Sequence, residues 1–264
     1  MSRATSAARI VAGTHQLSIE ESEARLVPAA VLTIPALAEE PGLVHGFSTT
    51  ALGSMRRQEG DGSPLTPARR AFARALGLDP SRLTVAGAVH GAEVARVDAG
   101  AGTVKDVDAL VTDRPGLPLL VTCADCYPLI VFDPVRRALA LVHAGWRGTA
   151  GGVAGEAVRV LCSEYGSRAQ DLVAGLGPGI CADCYEVTID VAGRFDPSFL
   201  RPSNVRGDRF QLDLATANRV QLEKAGIASR RIHEQGACTK EMPELPSHRR
   251  SADGSRFACI AAIA

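Results

Sequence analysis

The sequence lacks any excess of charge. Its 264 residues include 29 Lys and Arg against 29 Asp and Glu, and no long run of one sign occurs. A nucleic-acid-binding surface normally shows a basic excess, so we expect no nucleic-acid partner. The sequence also lacks the ~18 consecutive apolar residues of a membrane span and any N-terminal apolar stretch of signal-peptide length. We therefore expect a cytoplasmic protein that has no membrane partner.

The cysteine pattern does not indicate a disulfide framework either. The seven cysteines are an odd number and lie unevenly, at 123, 126, 162, 181, 184, 238 and 259. In a chain without an export signal, they indicate reduced thiols, metal ligands or a nucleophile. Two C-x-x-C pairs, at 123/126 and 181/184, match a four-thiolate zinc site only weakly, because the stretch between them far exceeds the ~15–20 residues of a zinc ribbon.

The chain shows no sign of division into separate units. At ~100–200 residues per domain, its length allows one large domain or two small ones. No Pro- or Ser-rich linker and no repeat occurs, which favours one. We predict a flexible N-terminal segment over residues 1–25, a single catalytic domain over 26–264, and a surface loop at 53–64.

Short β-rich segments alternate with a few helical ones, which predicts an α/β fold. Helices are predicted over 67–76, 152–165 and 214–225, the first with Thr66 as its cap and Pro67 at its first position. Strands are predicted at 83–89, 108–112, 118–122, 128–133, 138–143 and 171–176.

The stretch 119–149 is the most informative part of the chain. A four-residue connection between the apolar runs 128–133 and 138–143 predicts a β-hairpin. Folding about this turn places Pro128 opposite His143. Cys126 then lies at the open end of the hairpin, within side-chain reach of His143.

A thiol beside an imidazole supports two chemistries. Histidine can take the thiol proton and create a Cys–His nucleophile. Alternatively, Cys126 and His143 can both bind zinc, with a third ligand from elsewhere and one position open for water. His90, which closes the segment LTVAGAVH, is the better third ligand, and His45 is the weaker alternative.

A glycine-rich segment, AGWRGTAGG (144–152), follows His143. Its glycines would let backbone amides approach a ligand, and the following helix would turn its amide end to the same place. The Arg147 guanidinium suits phosphate or carboxylate. We predict an anion site here, the alternative being a plain strand–loop–helix connection with a surface arginine.

Six ordered blocks of sequence carry a family resemblance. They are VHGAEV (89–94), DALVTDRPGLPLLVTCADCYPLIVFD (108–133), LVHAGWRGTAGG (141–152), GLGPGICADCYEV (175–187), LDLATANRVQL (212–222) and CT…SHRR (238–250). Over roughly residues 40–264 the chain resembles the YfiH or laccase-domain family, whose members are multifunctional purine nucleoside enzymes formerly called polyphenol oxidases.

The resemblance implies a fold, an activity and a metal site. The fold would be a layered α/β/β/α sandwich with mixed sheets, related to cysteine-dependent deamidase toxins. The activities would be phosphorolysis of adenosine, inosine, guanosine and methylthioadenosine, and hydrolytic deamination of adenosine. The family's zinc ligands correspond to His90, Cys126 and His143, which would be both the metal-binding and the catalytic residues. Purine nucleosides and phosphate would be the partners.

Three arginines are our own candidates for substrate binding. Phosphorolysis needs an anion pocket near the ribose C1′, for which we nominate Arg147, Arg249 and Arg250. Zn²⁺ is the expected cofactor and Cu²⁺ the alternative, because Cu²⁺ competes strongly for nitrogen and sulfur ligands.

The chain departs from the family pattern at two places. Family members usually have an arginine and paired glycines after His-Gly-Phe-Ser-Thr, where this chain has Thr50-Ala51-Leu52-Gly53. An aromatic pair before the Ser-Tyr/His-Arg-Arg motif is replaced by Glu244-Leu245-Pro246. Because aromatic faces stack on purines, we expect base affinity to be reduced or supplied by Trp146 or Tyr127.

Three rival functions remain open at this point. A multicopper oxidase needs many histidines, commonly in His-x-His pairs; the chain has six histidines and no such pair, which argues against it. A metal-free Cys–His hydrolase would act on an amide or ester, including editing of peptidoglycan precursors. A non-enzymatic binding protein would retain His90, Cys126 and His143 without using them for catalysis. No oligomeric state is predicted.

Overall fold

The computed structural model describes residues 30–57, 65–100, 102–203 and 207–264. Its strands are β1 Val31–Leu32, β2 Leu43–Ser48, β3 Thr84–Gly87, β4 Val94–Arg96, β5 Gly102–Lys105, β6 Ala109–Thr112, β7 Leu119–Cys123, β8 Tyr127–Asp133, β9 Ala138–Ala144, β10 Val173–Leu176, β11 Glu186–Thr188, β12 Leu200–Pro202, β13 Arg209–Leu212, β14 Ile232–Glu234 and β15 Phe257–Ile263. Its α-helices are α1 Pro35–Ala38, α2 Pro67–Ala75, α3 Trp146–Ala150, α4 Val153–Tyr165, α5 Ile189–Ala192 and α6 Leu214–Lys224. The predicted flexible segment 1–25 lies outside the described residues; of the predicted loop 53–64, residues 53–57 have no regular structure and 58–64 lie outside.

The strands form two large mixed sheets and one small one. The first has the order β1-β2-β15-β7-β3-β5, and the second has the order β14-β10-β8-β9-β6-β4. The small sheet, β11-β13-β12, is antiparallel. The C-terminal strand β15 is central because it pairs with both β2 and β7.

Alternating side chains determine how the layers stack. In β8, Ile130 and Phe132 belong to the core between the two large sheets, whereas Leu129 and Val131 pack on the other face with residues of α4. Successive strand side chains point to opposite faces, so a strand that is apolar throughout is buried on both sides. On the far side, α2 covers the outer face of the first sheet through Phe72. The layers are therefore α/β/β/α, and the predicted fold class is confirmed.

The three predicted helices form close to their expected limits. The Thr66 side chain caps α2 by accepting the Arg69 amide at 3.3 Å, and Pro67 occupies the first position, as predicted. Helix α4 begins after Gly152 and ends before Gly166, both in the left-handed region. Because an L side chain is strained there, these glycines mark the helix limits.

The central hairpin has the predicted register. Strands β8 and β9 pair antiparallel with Pro128 opposite His143 and Asp133 opposite Ala138. The other predicted strands correspond to β3, β6, β7 and β10, with ends shifted by at most two residues. The predicted glycine-rich loop is different, since residues 146–150 form the short helix α3.

Within the described residues, no helix is both long and apolar enough to cross a lipid bilayer.

Candidate active site

Three potential metal ligands converge at the open end of the β8–β9 hairpin. The donor atoms of His90, Cys126 and His143 all lie within 4.8 Å of one another. The two imidazole rings are in edge-to-face contact, with centroids 4.9 Å apart. His143 is buried, Cys126 is half-buried and His90 is exposed. The closeness of Cys126 to His143 expected from hairpin register therefore occurs, and His90, the preferred third candidate, joins them. These three residues, which we call the trio, face solvent on the His90 side.

A buried carboxylate, Asp108, positions both histidines. Its oxygens accept the backbone amides of Val89, His90 and Gly91, at 3.2, 2.9 and 2.6 Å. These bonds hold His90 at a φ of 63°, a left-handed conformation that costs a non-glycine residue about 1–3 kcal/mol. Asp108 also lies 2.9 Å from His143 Nδ1. Sequence reasoning missed this residue, whose signal was a charged side chain opening the apolar segment DALVT.

The same contacts polarise the thiol and the imidazole. Burial would raise the pKa of Cys126, but the His143 charge and hydrogen bonds with both imidazoles lower this pKa to about 6. Burial would lower the pKa of His143, but the Cys126 charge and the Asp108 hydrogen bond raise it to about 9. In the absence of a metal ion, Cys126 therefore favours the thiolate form and His143 the imidazolium form.

The donor set fits a zinc ion. One thiolate and two imidazoles are ligands that Zn²⁺ takes, and three protein ligands leave a fourth position open, as catalytic sites require. Asp108 engages His143 Nδ1 and so leaves Nε2 for the ion. A Cβ at position 145 would lie 2.9 Å from both Cys126 Sγ and His90 Cδ2, so Gly145 is required for the donors to approach.

His45, the alternative third ligand, is used elsewhere. It is buried on β2, and its Nε2 accepts the Ile34 amide at 2.9 Å. Burial lowers the pKa of His45 to about 4, so the ring is a neutral hydrogen-bond acceptor in the core. His90 is therefore the histidine that joins Cys126 and His143.

The trio lies in a cavity of about 680 Å³ that has a strongly basic lining. Small-molecule sites commonly have volumes of ~300–1,000 Å³, so the cavity can hold a nucleoside-sized ligand. Six arginines contribute to its walls: Arg56, Arg57, Arg69, Arg147, Arg249 and Arg256. The lining favours a ligand with negative charge.

The structure separates the three nominated arginines. Arg147 lines the cavity with its guanidinium carbon 4.2 Å from the centre of the Trp146 ring. Arg249 also lines it, stacked at 4.9 Å on Tyr185 and donating to the Glu186 carbonyl. Arg250 is not among the lining residues. Its guanidinium donates to the carbonyls of Thr239, Lys240, Met242 and Leu245.

Two aromatic rings, Trp146 and Tyr185, line the cavity. Tyr127 does not: it is buried, its hydroxyl donates to the Ile180 carbonyl at 3.0 Å, and its ring fills the space beside Gly179. The expectation that Tyr127 could stack on a purine is therefore wrong. Tyr185 is a residue that sequence reasoning missed, although it lies within the resembling block GLGPGICADCYEV.

Two glycines of segment 144–152, Gly145 and Gly148, serve the packing of the site. A Cβ at Gly148 would meet the Gly91 carbonyl oxygen at 2.6 Å, so this glycine lets α3 approach the backbone next to His90. Together with Gly145 it brings the two histidine-bearing segments together. Part of the predicted loop is thus a close-packed helix that presents Arg147 and Trp146 to the cavity, and the predicted anion site stays a prediction.

The two departures from the family pattern lie against each other. The Thr50 amide donates to the Glu244 carbonyl at 2.8 Å, which joins segments 50–53 and 244–246. Leu245 is fully buried, so the residue standing where an aromatic side chain is usual packs into the core. The two changes therefore alter one local region together.

A second group of potential ligands lies outside this cavity. Cys181, Cys184, Cys238 and Glu241 place their donor atoms within 4.8 Å of one another. Cys123, by contrast, is buried in the core between the sheets. The two C-x-x-C pairs therefore do not form a common four-thiolate site.

Comparisons with known proteins agree on one family. The family model described as multi-copper polyphenol oxidoreductase laccase matches residues 46–263. A purine nucleoside phosphorylase of Deinococcus radiodurans is 36% identical over 79% of this chain and 84% of its own length. Adenosine deaminase RL5, from an unknown prokaryotic organism, is 32% identical over 66% of this chain and 71% of its own.

Solved structures show the same fold. The YfiH protein of Bacillus licheniformis superposes with a TM-score of 0.79 at 26% identity, covering 91% of this chain and 98% of that one. YlmD of Geobacillus stearothermophilus gives 0.77 at 29% identity, covering 85% and 93%.

Proposed function

Because the chain belongs to the multi-copper polyphenol oxidoreductase laccase family, whose similar members include proteins named for phosphorolysis and deamination of purine nucleosides, we propose that it is a purine nucleoside enzyme. Its reactions would be phosphorolysis of adenosine, inosine, guanosine or methylthioadenosine and hydrolytic deamination of adenosine. The observation that carries the proposal is the convergence of His90, Cys126 and His143 at an arginine-lined cavity of nucleoside size.

Zn²⁺ is the ion that this donor set suits best, with His90, Cys126 and His143 as its ligands. When bound, it would supply Lewis-acid activation of water for attack at the purine C6. Cu²⁺ would compete for the same nitrogen and sulfur donors. A multicopper centre has less support, because the described part of the chain contains one histidine-bearing group of three ligands.

The protein's own residues have distinct tasks in this proposal. Asp108 holds the proton on His143 Nδ1 and fixes the ring's orientation. Arg147 and Arg249 bind phosphate near the ribose C1′, and the rings of Trp146 and Tyr185 offer faces for the purine. In phosphorolysis a phosphate oxygen forms the bond to C1′ as the C1′–N9 bond breaks. In deamination water adds at C6 and ammonia leaves.

Arg250 has a positioning task. Its guanidinium is occupied by four backbone carbonyls of residues 239–245, so it shapes the loop that precedes Arg249. We therefore propose that Arg250 acts on substrate through this loop and through Arg249.

A second candidate function has its own supporting observation. Cys126, His143 and Asp108 form a connected series, with the His143 ring between the thiol and the carboxylate. This order matches a nucleophile, its base and the group that orients the base. A metal-free hydrolase would use the Cys126 thiolate on an amide or ester carbonyl.

Product analysis on adenosine tests the proposal. The zinc-loaded protein should release adenine and ribose 1-phosphate when phosphate is present, and inosine with ammonia with or without phosphate. Removing the ion with a chelator should stop both reactions, and restoring Zn²⁺ should recover them. No turnover by protein with measured zinc content would contradict the proposal. Hydrolysis of an activated ester that persists after chelation would favour the metal-free hydrolase.

A further inference from the structure

The second ligand group, which we call the thiol cluster, consists of Cys181, Cys184, Cys238 and Glu241. It offers three sulfur atoms and one carboxylate oxygen within 4.8 Å of one another. In a tetrahedral site, Zn–S bonds of about 2.3 Å place sulfur atoms somewhat under 4 Å apart. The donors are therefore already near the spacing that a shared ion would impose, and none of them lines the main cavity.

A backbone turn and a parallel strand bridge build the thiol cluster from distant parts of the chain. The Cys184 amide donates to the Cys181 carbonyl at 3.0 Å, which folds the C-x-x-C segment back on itself. Residue 238 pairs with Gly179 in a parallel bridge, and the Thr239 amide donates to the Gly179 carbonyl at 2.9 Å. Cys181 and Cys238 meet in this way although they are 57 positions apart.

The contacts within the thiol cluster favour a cation over a disulfide. The Cys184 and Cys181 thiols lie 3.3 and 3.7 Å from the same Glu241 oxygen. A Cys181–Cys184 disulfide would leave that carboxylate without a role. No ion pair in the described ranges involves Glu241, so its carboxylate faces the thiols without a basic side chain as a partner. A bound cation would pair with this carboxylate and take the place of the thiol protons.

The ligand types indicate which cation. Thiolates select soft and borderline transition metals, and a carboxylate oxygen extends the set toward Zn²⁺, which accepts both. The Cys181 amide points at Cys238 Sγ from 3.3 Å, a contact that stabilises a thiolate. Four protein ligands would also leave no position open, as in structural zinc sites.

We propose that Cys181, Cys184, Cys238 and Glu241 bind one Zn²⁺ ion in a structural site. The ion would join two loops that reach the active-site wall. Thr239, next to Cys238, donates to the Asp125 carboxylate at 2.7 Å, and Tyr185, next to Cys184, lines the cavity. Closing a loop of this length by a cross-link is expected to stabilise the folded chain.

Metal counting in full-length variants tests the site independently of nucleoside turnover. The protein is purified anaerobically with Zn²⁺ supplied, and bound metal is measured by plasma mass spectrometry. Cys126→Ala, which lacks a ligand of the trio, should keep one ion per chain. Adding Cys238→Ser to Cys126→Ala should remove it. Cys162→Ser, a cysteine on α4 outside both groups, should keep the wild-type content.

A gentler variant keeps the test informative if Cys238→Ser does not fold. Glu241 is exposed, so the double variant Cys126→Ala/Glu241→Gln should fold and release its zinc at a lower chelator concentration than Cys126→Ala alone. In the Co²⁺-substituted Cys126→Ala protein, thiolate-to-metal absorption should fall on Cys184→Ser and persist on Cys162→Ser. Zinc-free Cys126→Ala protein, or a Cys181–Cys184 disulfide in the anaerobic wild type, would overturn the proposal. A failure to turn over nucleosides would leave these metal counts unchanged.

Discussion

The trio and the thiol cluster use similar atoms in different surroundings. The trio has two imidazoles and one thiol, and it opens into a basic cavity; the thiol cluster has three thiols and a carboxylate, and it lies outside that cavity. Asp108 orients two members of the trio, whereas a backbone turn and a parallel strand bridge hold the thiol cluster. Three ligands beside a cavity are suited to chemistry, and four ligands that enclose an ion are suited to stabilising loops. Each variant below that alters the trio, its surroundings or the thiol cluster should affect one of these roles more than the other.

The largest effect on turnover is expected from Cys126→Ala. Loss of the thiol should reduce nucleoside turnover to background, because the trio loses its only sulfur donor. The side chain lies at the end of the hairpin and outside the centre of the core, so the melting temperature should change by only a few degrees. Activity and thermal melts check both expectations. Wild-type activity in this variant would remove Cys126 from the mechanism.

Asp108→Asn should have the next largest effect. A carboxylate that orients a metal-binding histidine commonly contributes about 10–100-fold to metal affinity or activity. Asp108 has this role for His143 and also anchors the backbone at His90. Zinc titration and kcat/KM measure the loss. Asp98→Asn is the matched control, since Asp98 pairs with surface arginines. An equal loss in the control would contradict the orienting role.

Arg147→Ala should separate the two reactions. If its guanidinium binds phosphate, a charge-assisted hydrogen bond of ~1.5–3 kcal/mol is lost, so the KM for phosphate should rise about 10-fold or more. Deamination of adenosine should change much less. Arg201→Ala, which removes an exposed arginine paired with Asp183, serves as the control. Equal losses in both reactions would place Arg147 on the nucleoside instead.

Cys184→Ser should show the reverse of the Cys126→Ala pattern. Without one ligand of the thiol cluster, the melting temperature should fall by several degrees while turnover stays within a few-fold of wild type. The reason is that the ion would join loops at a distance from the reacting atoms. Thermal melts with and without a chelator, and steady-state kinetics, measure the two quantities. A large loss of turnover with an unchanged melting temperature would contradict the division of roles.

The smallest effect on turnover is expected from His45→Gln, because His45 lies outside the trio and the thiol cluster. Its effect should be on the pH dependence of folding stability. Burial lowers the pKa of His45 from 6.5 to about 4, so the folded state binds its proton less readily than the unfolded state. This contribution to stability is full above pH 6.5 and is lost as the pH falls toward 4, by up to ~3 kcal/mol. Denaturant unfolding of wild type and His45→Gln across this range measures it. Identical pH dependence in both proteins would show that His45 does not contribute.

The local sequence pattern was sufficient to predict the β8–β9 hairpin but not strand β15. The pairing of Pro128 with His143 follows from a short turn and two apolar runs, all within one contiguous stretch. Strand β15 was not predicted, although it is central in its sheet. Its seven consecutive apolar residues are consistent with a buried strand, but its place in the sheet depends on β2 and β7, which lie far away in the chain.

The sequence alone indicated the family through the order of its motifs, and the layered fold class through that resemblance. It also indicated the closeness of Cys126 to His143, because alternation and turn length are local properties of the chain. Tertiary structure decided that His90 rather than His45 completes the trio, that Asp108 holds both histidines, and that Cys181 and Cys184 meet Cys238 instead of Cys123. The physical reason is that a side chain's partners across a folded core depend on how distant segments pack, which no local pattern encodes.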